Sequence, residues 1–533
     1  MEDVITPNDR RYEQEERGHA PGDDQPMSDR VNNRSLRPDS PAFREFMTTG
    51  WDNREPDVHA LPSSAFTPKR LEELGRRFPG ERLVIPAGQP KVRNNDCDYA
   101  FRPDTAFAYY TGLGQDYEAG AVLILDPVDP SGPEAAKGVT HHPELFVAPR
   151  ADNSTTDYYR DPHYGEYWVG PRAGLRELQA MTGIETHDIA QLEDAIGKDV
   201  GSEAGAVKVR VIRETDPELT GRVEAIRQAN GFPDSGHNEG DDDKLHEFAS
   251  EQRMVKDSYE VGEIRRAVKA TKHGFDRLLT RLPHVIGRSR SERILEGAFN
   301  SVAREEGNAV GYDTIVASGA HAPILHWMRN TGVVGAGEML LIDAGVEVDS
   351  LYTADITRTF PVGGHFSPLQ RRLYQTVLDS QQAGFEAARP GATYSDIHHA
   401  CMRVIAQRLH DWGILHVDVE EALSPAGQQH RRWLACGVAH HLGLDVHDCA
   451  QARYESYQGA TITPGMTFTI EPGLYFAQND LLLPPEMRGI GIRIEDDVLM
   501  TADGPEWISK DIPKQIDDVE RWMAERAAAR EDE

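Results

Sequence analysis

Three apolar runs in the C-terminal half of this chain each end in a carboxylate: LLIDAG at Asp343, FTIEPG at Glu471 and IRIEDD at Glu495. An ionised acid among apolar neighbours is costly to bury by itself. A strand-end acid facing solvent accounts for any one of them, but three apolar runs closing on the same residue type are hard to dismiss in that way. Asp355 in ADITRTF and His440 in GVAHHLGLDVHD complete the pattern. Four carboxylates and one imidazole suit a pair of divalent cations, so the fold has to bring these strand ends together around a two-metal site able to activate water for hydrolysis.

The 533 residues are enough for two domains. Lys and Arg number 57 against 88 Asp and Glu, a formal charge of -31 that opposes any general nucleic-acid or anionic-membrane surface. The four cysteines, Cys97, Cys401, Cys436 and Cys449, form no CxxC pair, which points to neither a zinc knuckle nor a disulfide framework. A reducing, cytoplasmic setting is expected. The N-terminal stretch lacks the apolar core of a secretory signal, and no apolar run is long enough to span a bilayer.

Residues 1–62 are rich in Asp, Glu, Arg, Asn and Pro without sustained periodicity, and are expected to form an acidic, largely flexible extension with a packed piece near residues 43–51. Residues 63–238 form a first folded unit. ERLVIPAG, FAYYTGL, GAVLILDP and ELFVAP are strand-like runs, while LEDAIG and PELTGRVEAIRQAN are helical, giving an α/β domain. PDSGHNEGDDD, residues 233–243, is the linker candidate. The second unit, residues 244–533, opens on a helix with Asp257 as cap, Glu260 completing a capping box, and an apolar stripe of Val261, Ile264, Val268, Phe275 and Leu278. A second helix starts at Ser367 and Pro368 and stops before Arg389, and a third carries Ile397, Cys401, Val404, Ile405 and Leu409 on one face. Strand-like runs lie between and after these helices, so the class is α+β rather than regular βαβ alternation.

In this order, SGAHAPILHW, LLIDAG, ADITRTFPV, GVAHHLGLDVHD, TIEPGLY and RGIGIRIEDD resemble the successive motifs of pita-bread-fold metallopeptidases, most closely the aminopeptidase P family. The resemblance covers residues 248–522. NNDCDYAFRPDTAFAYYTGL and GEYWVGPR resemble the N-terminal domain of the same family. It implies a two-metal exopeptidase, with manganese the expected ion, that releases the first residue of peptides with proline second by attack of a hydroxide held between the metals. Asp343, Asp355, His440, Glu471 and Glu495 are then the metal ligands, with Asp355 and Glu495 bridging, and Glu471 guides the proton to the leaving nitrogen. His326 and His447 contact substrate, His447 at the developing oxyanion. Arg493 and Tyr475 support the ligands from behind. Asp96 and Trp168 approach a neighbouring subunit's site, which implies a homo-oligomer, dimer or tetramer.

The chain departs from the family pattern in three respects. Cys436 stands where a histidine is usual, four residues before the metal histidine. His441 replaces a tryptophan of the pocket wall. The intervals from Asp343 to Asp355 and from Glu471 to Glu495 are each one residue longer than in the bacterial pattern, and a register slip there would turn a carboxylate away. Two other readings remain: a prolidase restricted to Xaa-Pro dipeptides, and a catalytically silent peptide-binding member of the fold.

Overall fold

The computed structural model describes residues 40–52, 58–94, 97–115, 119–203, 206–232 and 235–529. The chain divides into two compact units, Met1–Asp242 and Asp243–Glu533. Most of the expected flexible extension lies outside the described residues. Its packed piece is a helix, Pro41–Met47, capped by Ser40 and held by an edge-to-face contact of Phe43 with Tyr159 at 5.8 Å.

The first unit is a five-stranded mixed sheet in the order Glu185–Asp188, His141–Val147, Val122–Pro127, Glu81–Pro86, Lys208–Val211. The three central strands are antiparallel and both edge strands are added in parallel. Val84, Ile124, Phe146 and Val211 pack on Ile196 and Val223 from the helices Leu192–Gly197 and Pro217–Ala229. FAYYTGL, read as a strand, is instead the helix Thr105–Thr111, capped by Asp104, whose carboxylate accepts from Ala106 N at 2.9 Å. It is buried almost all round, and a short continuous apolar run carries no period to separate helix from strand. The linker candidate is also structured: its residues from Ser235 onward begin the helix Ser235–Gln252, and Asp242 is buried in a bidentate pair with Arg227. A buried ion pair is a tertiary partner that a polar, Gly-rich segment does not announce.

In the second unit the capping box at Asp257 forms as expected, opening the helix Ser258–Arg281. The helix Pro368–Ala387 also starts and stops where its sequence signals place it, and the helix Ser395–Asp411 buries Ile397, Cys401, Ile405 and Leu409 of the expected face. The strand-like runs DTIVASG, EMLLIDAGVEV, DITRTFPV, MTFTIEPGLYF and GIRIEDDVLMT all contain strands. Ile315–Ser318, Met339–Ala344 and Ile356–Pro361 form one antiparallel sheet; Thr467–Ile470, Asp496–Thr501 and Gly504–Trp507 form a second; Gly473–Phe476 pairs with Ile490–Arg493. Backbone bonds from Glu495 N to Thr357 O (3.1 Å) and from Ile494 N to Pro472 O (3.3 Å) tie the sheets into one curved layer. Helices cover its outer side, where Phe275, Phe299, Phe360 and Trp522 meet ring to ring.

The longer turn between Asp343 and Asp355 is absorbed without a slip, since Asp343 stays opposite Thr357 and Ala344 opposite Ile356. Gly345 makes this possible: a Cβ there would lie 1.8 Å from the Ala354 carbonyl oxygen. Gly345→Ala should therefore destabilise the protein by about 1–3 kcal/mol, read as a lowered thermal midpoint. Gly262→Ala, where an added Cβ meets nothing within 4 Å on an exposed helix face, should leave the midpoint unchanged or raise it.

Candidate metal centre and substrate cavity

The convergence of strand ends expected from the acids is present. Asp343 closes strand Met339–Ala344, and Asp355 directly precedes strand Ile356–Pro361 beside it. Glu471 follows strand Thr467–Ile470, and Glu495 follows strand Ile490–Arg493. His440 lies on an irregular segment pinned to the same layer by Thr469 N donating to the His440 carbonyl (2.9 Å) and Glu471 N to the Val438 carbonyl (2.8 Å). His440 Nε2 is 3.2 Å from Asp355 Oδ2, 3.5 Å from Glu471 Oε1 and 3.8 Å from Glu495 Oε1. Its Nδ1 faces the His441 carbonyl at 3.1 Å, which fixes the tautomer that leaves Nε2 free to coordinate. Ligating atoms of Asp355, His440 and Glu495 all lie within 4.8 Å of one another.

Behind the acids stands one cation. Arg493 is 3% exposed; its Nη2 donates to Asp343, its Nη1 to the Tyr475 hydroxyl (2.9 Å) and its Nε to Thr357 Oγ1 (3.0 Å). Thr357 passes the contact on, donating to Glu495 Oε2 at 2.6 Å. Tyr312 closes the other side, its hydroxyl 2.7 Å from Asp343 Oδ1 and 2.5 Å from Asp355 Oδ1. Neither Tyr312 nor Thr357 stood out in the sequence. Thr357 had a signal, being two residues beyond Asp355 and so on the same strand face; Tyr312 reaches the site from a turn, where no period applies.

Burial dominates the electrostatics. It pushes Glu471 up to about 7 against the pull of His440 and Arg493, with Asp355 and Asp343 adding repulsion. Burial followed by repulsion from Asp355, Glu471 and Asp343 holds Glu495 well above the carboxylate range. Burial also raises Asp343, partly countered by Arg493. For His440, burial alone would lower the pKa, but the bond to Asp355 and the Glu471 charge carry it up to about 9. Glu495 Oε1 is buried without a hydrogen-bond partner. Clustered carboxylates with an orphaned, inward oxygen and one free imidazole nitrogen are a donor set made for hard or borderline divalent cations.

The centre forms the floor of a cavity of about 560 Å³, which His326, His447, Tyr475 and Cys436 also line. Ile315, Leu325, Met328 and Val446 give the cavity an apolar wall. The His447 ring stands edge-on to His440 at 4.5 Å. Cys436 lines the cavity where a histidine was expected, its thiol pushed up by burial and then by the Glu471 charge. His441 does not form part of the wall: its ring is fully buried and stacks on Tyr394 at 4.7 Å. Trp168 belongs to the first unit, on the short helix Glu166–Val169, half exposed and donating through its indole to the Tyr159 carbonyl at 2.7 Å. Asp96 lies outside the described residues.

Comparison with known proteins places this geometry. The metallopeptidase family M24 profile matches residues 262–502 and that of the aminopeptidase P N-terminal domain matches residues 67–207. The chain is 43% identical over 490 residues to Xaa-Pro aminopeptidase 1 of Streptomyces coelicolor, covering 91% of this chain and 92% of that one. Aminopeptidase PepP of Pseudomonas aeruginosa is similar in structure, with a TM-score of 0.74 and 29% identity over 88% of this chain and all of that one. Zinc-substituted Escherichia coli aminopeptidase P in complex with product gives a TM-score of 0.74 at 28% identity, over 88% of this chain and 99% of that one. With a pita-bread C-terminal unit, an aminopeptidase P-type N-terminal domain and a site of this make-up, the chain belongs to metallopeptidase family M24 and is a metal-dependent exopeptidase of the Xaa-Pro aminopeptidase type.

Proposed function

We propose that the enzyme releases the N-terminal residue from peptides with proline second, using two divalent ions held by Asp343, Asp355, His440, Glu471 and Glu495, with manganese the ion preferred. The observation that carries this reading is the convergence of those five side chains on one cavity floor. Oxygen donors outnumber nitrogen four to one and no thiolate is among them, a set that favours Mn2+ over a Cys- and His-rich zinc shell. Bound there, the two ions would polarise the scissile carbonyl and bring the pKa of a water toward neutrality.

The protein's own groups do the rest. Glu471 lines the cavity with its Oε1 3.5 Å from His440 Nε2, a position from which it would take a proton from water and deliver it to the departing prolyl nitrogen. Burial and then the nearby His440 lower the His447 pKa, so its imidazole is neutral yet still offers one N–H to the oxygen on which charge develops. His326, near enough to His447 for their charges to interact, holds the substrate from the same cavity. Arg493, through Asp343 and Thr357, and Tyr475, through Arg493, keep the acids in place. An Xaa-Pro amide carries no N–H, so this site needs no acceptor for one; the apolar wall of Ile315, Leu325, Met328 and Val446 suits the pyrrolidine ring.

Two broader readings accompany this one. Tyr167, Trp168 and Val169 are exposed together on the first unit, an apolar patch that supports a homo-oligomer in which Trp168 and Asp96 approach a neighbouring copy's site. Four free cysteines support a reducing, cytoplasmic location, and no described helix is long and apolar enough to cross a membrane.

Hydrolysis of Gly-Pro, Gly-Pro-Gly and a longer Xaa-Pro peptide, before and after EDTA treatment and with Mn2+ returned, tests the reading directly. Activity should vanish with chelation, return with Mn2+, and favour the tripeptide and longer peptide; activity confined to Gly-Pro would make the enzyme a prolidase. Asp355→Asn and Glu471→Gln should each lower kcat/KM by roughly a thousandfold, the scale on which removal of a principal charge-stabilising group acts. Undiminished turnover by either variant removes the five-ligand assignment.

The pKa shifts also give the metal-free protein a signature. Glu471 rises from 4.5 to about 7 and His440 from 6.5 to about 9, so the folded apoprotein binds more protons than the unfolded chain. Their contribution to stability is complete below the unfolded values and is lost as pH rises through the folded ones. The thermal midpoint of EDTA-stripped protein should therefore fall as pH rises from about 5 to about 9, and Mn2+ should cancel the fall by replacing those protons. A midpoint of the stripped protein that climbs across this range would contradict the shifts.

A further inference from the structure

The segment that carries His326 to the cavity is irregular from Gly319 to the start of strand Met339–Ala344 apart from one 3-10 turn, and it leaves Ile324, Met328 and Val333 exposed. Its placement depends on the first turn of the helix Ser291–Glu306, which supplies three consecutive anchors. Glu292 is fully buried and accepts four hydrogen bonds: Oε1 from Ser318 N (3.0 Å) and His321 Nδ1 (2.8 Å), Oε2 from the Trp327 indole (2.9 Å) and Gly332 N (2.6 Å). Ser291 Oγ accepts from Val334 N at 2.6 Å, and Arg293 Nη2 donates to the Arg329 carbonyl at 2.6 Å. The ring of His321 stacks on that of Trp327 at 3.9 Å, so two of the donors to Glu292 also brace each other. Gly332 approaches so closely that a Cβ would lie 2.6 Å from Glu292 Oε1.

Trp327 is the residue after His326. A carboxylate that fixes the Trp327 indole, His321 upstream and Gly332 downstream leaves the His326 backbone little freedom. Two oxygens satisfied by four donors from one loop form a closed set, and an amide at that position would turn one oxygen into a donor facing donors. We infer that Glu292 is a positioning residue for the reaction: its carboxylate, outside the cavity, clamps the 318–332 loop so that His326 meets the substrate in one orientation. This rests on the reading of His326 as a substrate contact. A loop that carries such a group gains rate from preorganisation, because each alternative orientation has to be abandoned before the transition state forms.

A double-mutant cycle tests it, with kcat and KM for Gly-Pro-Gly, Mn2+ affinity by calorimetry and the thermal midpoint read on Glu292→Gln, His326→Ala and the pair. Glu292→Gln should lower kcat/KM by about tenfold or more while Mn2+ affinity stays within about threefold, since the ligands lie on other segments. In the His326→Ala background the same change should cost less than about threefold, because residues acting through one another are not additive. Additive losses, or a silent Glu292→Gln beside a damaging His326→Ala, would overturn the inference and leave the substrate role of His326 standing. A silent His326→Ala would remove that role and the inference with it. Should Glu292→Gln not fold, Trp327→Phe deletes one donor and keeps the ring, and the same cycle with His326→Ala decides.

Discussion

The guanidinium of Arg493 stands among carboxylates that would otherwise repel one another. It touches Asp343 directly and Glu495 through Thr357, and a further N–H goes to the hydroxyl of Tyr475 on the neighbouring strand. Burial raises the pKa of each acid whose shift is resolved, so the pocket is a place where charge is expensive. One fixed cation makes the cluster tolerable in the folded chain but does not neutralise four acids. Without metal the cluster holds protons in their place, divalent cations would displace them, and the orphaned Glu495 Oε1 is an acceptor left for one. The curved layer of strands serves this arrangement, since its converging strand ends bring four acids together and the irregular segment pinned to it adds His440.

Much of this was legible in the sequence because it is written in local patterns. Acids at the ends of apolar runs locate the strand termini, and capping residues such as Asp257 and Ser367 locate helix starts to the residue. What escaped is non-local. Tyr312 bridges two acids 31 and 43 positions away from a turn with no periodicity, and Glu292 gathers a loop up to 40 residues downstream. FAYYTGL was misread because complete burial erases the alternation that distinguishes its neighbours. The polar 233–243 stretch does hold the boundary between the two units, but its helical state was missed because Asp242 there depends on Arg227, which bonds it from another helix.

Of the departures from the family pattern only Cys436 lines the cavity, and all five proposed metal ligands are present there. Cys436 removes an imidazole from the wall and leaves a protonated thiol, a poor hydrogen-bond donor, next to Glu471. The backbone there is nonetheless held firmly, with Arg431 donating to the Leu434, Ala435 and Cys436 carbonyls. The change therefore alters what the wall offers a peptide without loosening the segment that leads to His440. His441 is a different case: buried against Tyr394 and Phe468, it is part of the packing beneath the metal histidine and presents nothing to substrate.

His326 and His447, the two histidines proposed to contact substrate, share a construction that the proposed metal ligands do not need. A metal ligand is oriented by its strand and, once loaded, by the ion. His326 and His447 sit on irregular segments, and each has a buried carboxylate close by in sequence or in space. Beside His447, Asp448 is 1% exposed and accepts from Lys256 Nζ at 2.8 Å and Arg253 Nε at 3.1 Å, both themselves buried. Burial opposes its ionisation, but those two cations hold the carboxyl well below its usual range. Removing it would strand two buried positive charges, so the loop has no second arrangement of comparable energy. Glu292 does the same for the His326 loop through two backbone amides, an indole and an imidazole. The segments of both cavity-lining imidazoles are thus held by polar networks outside the cavity.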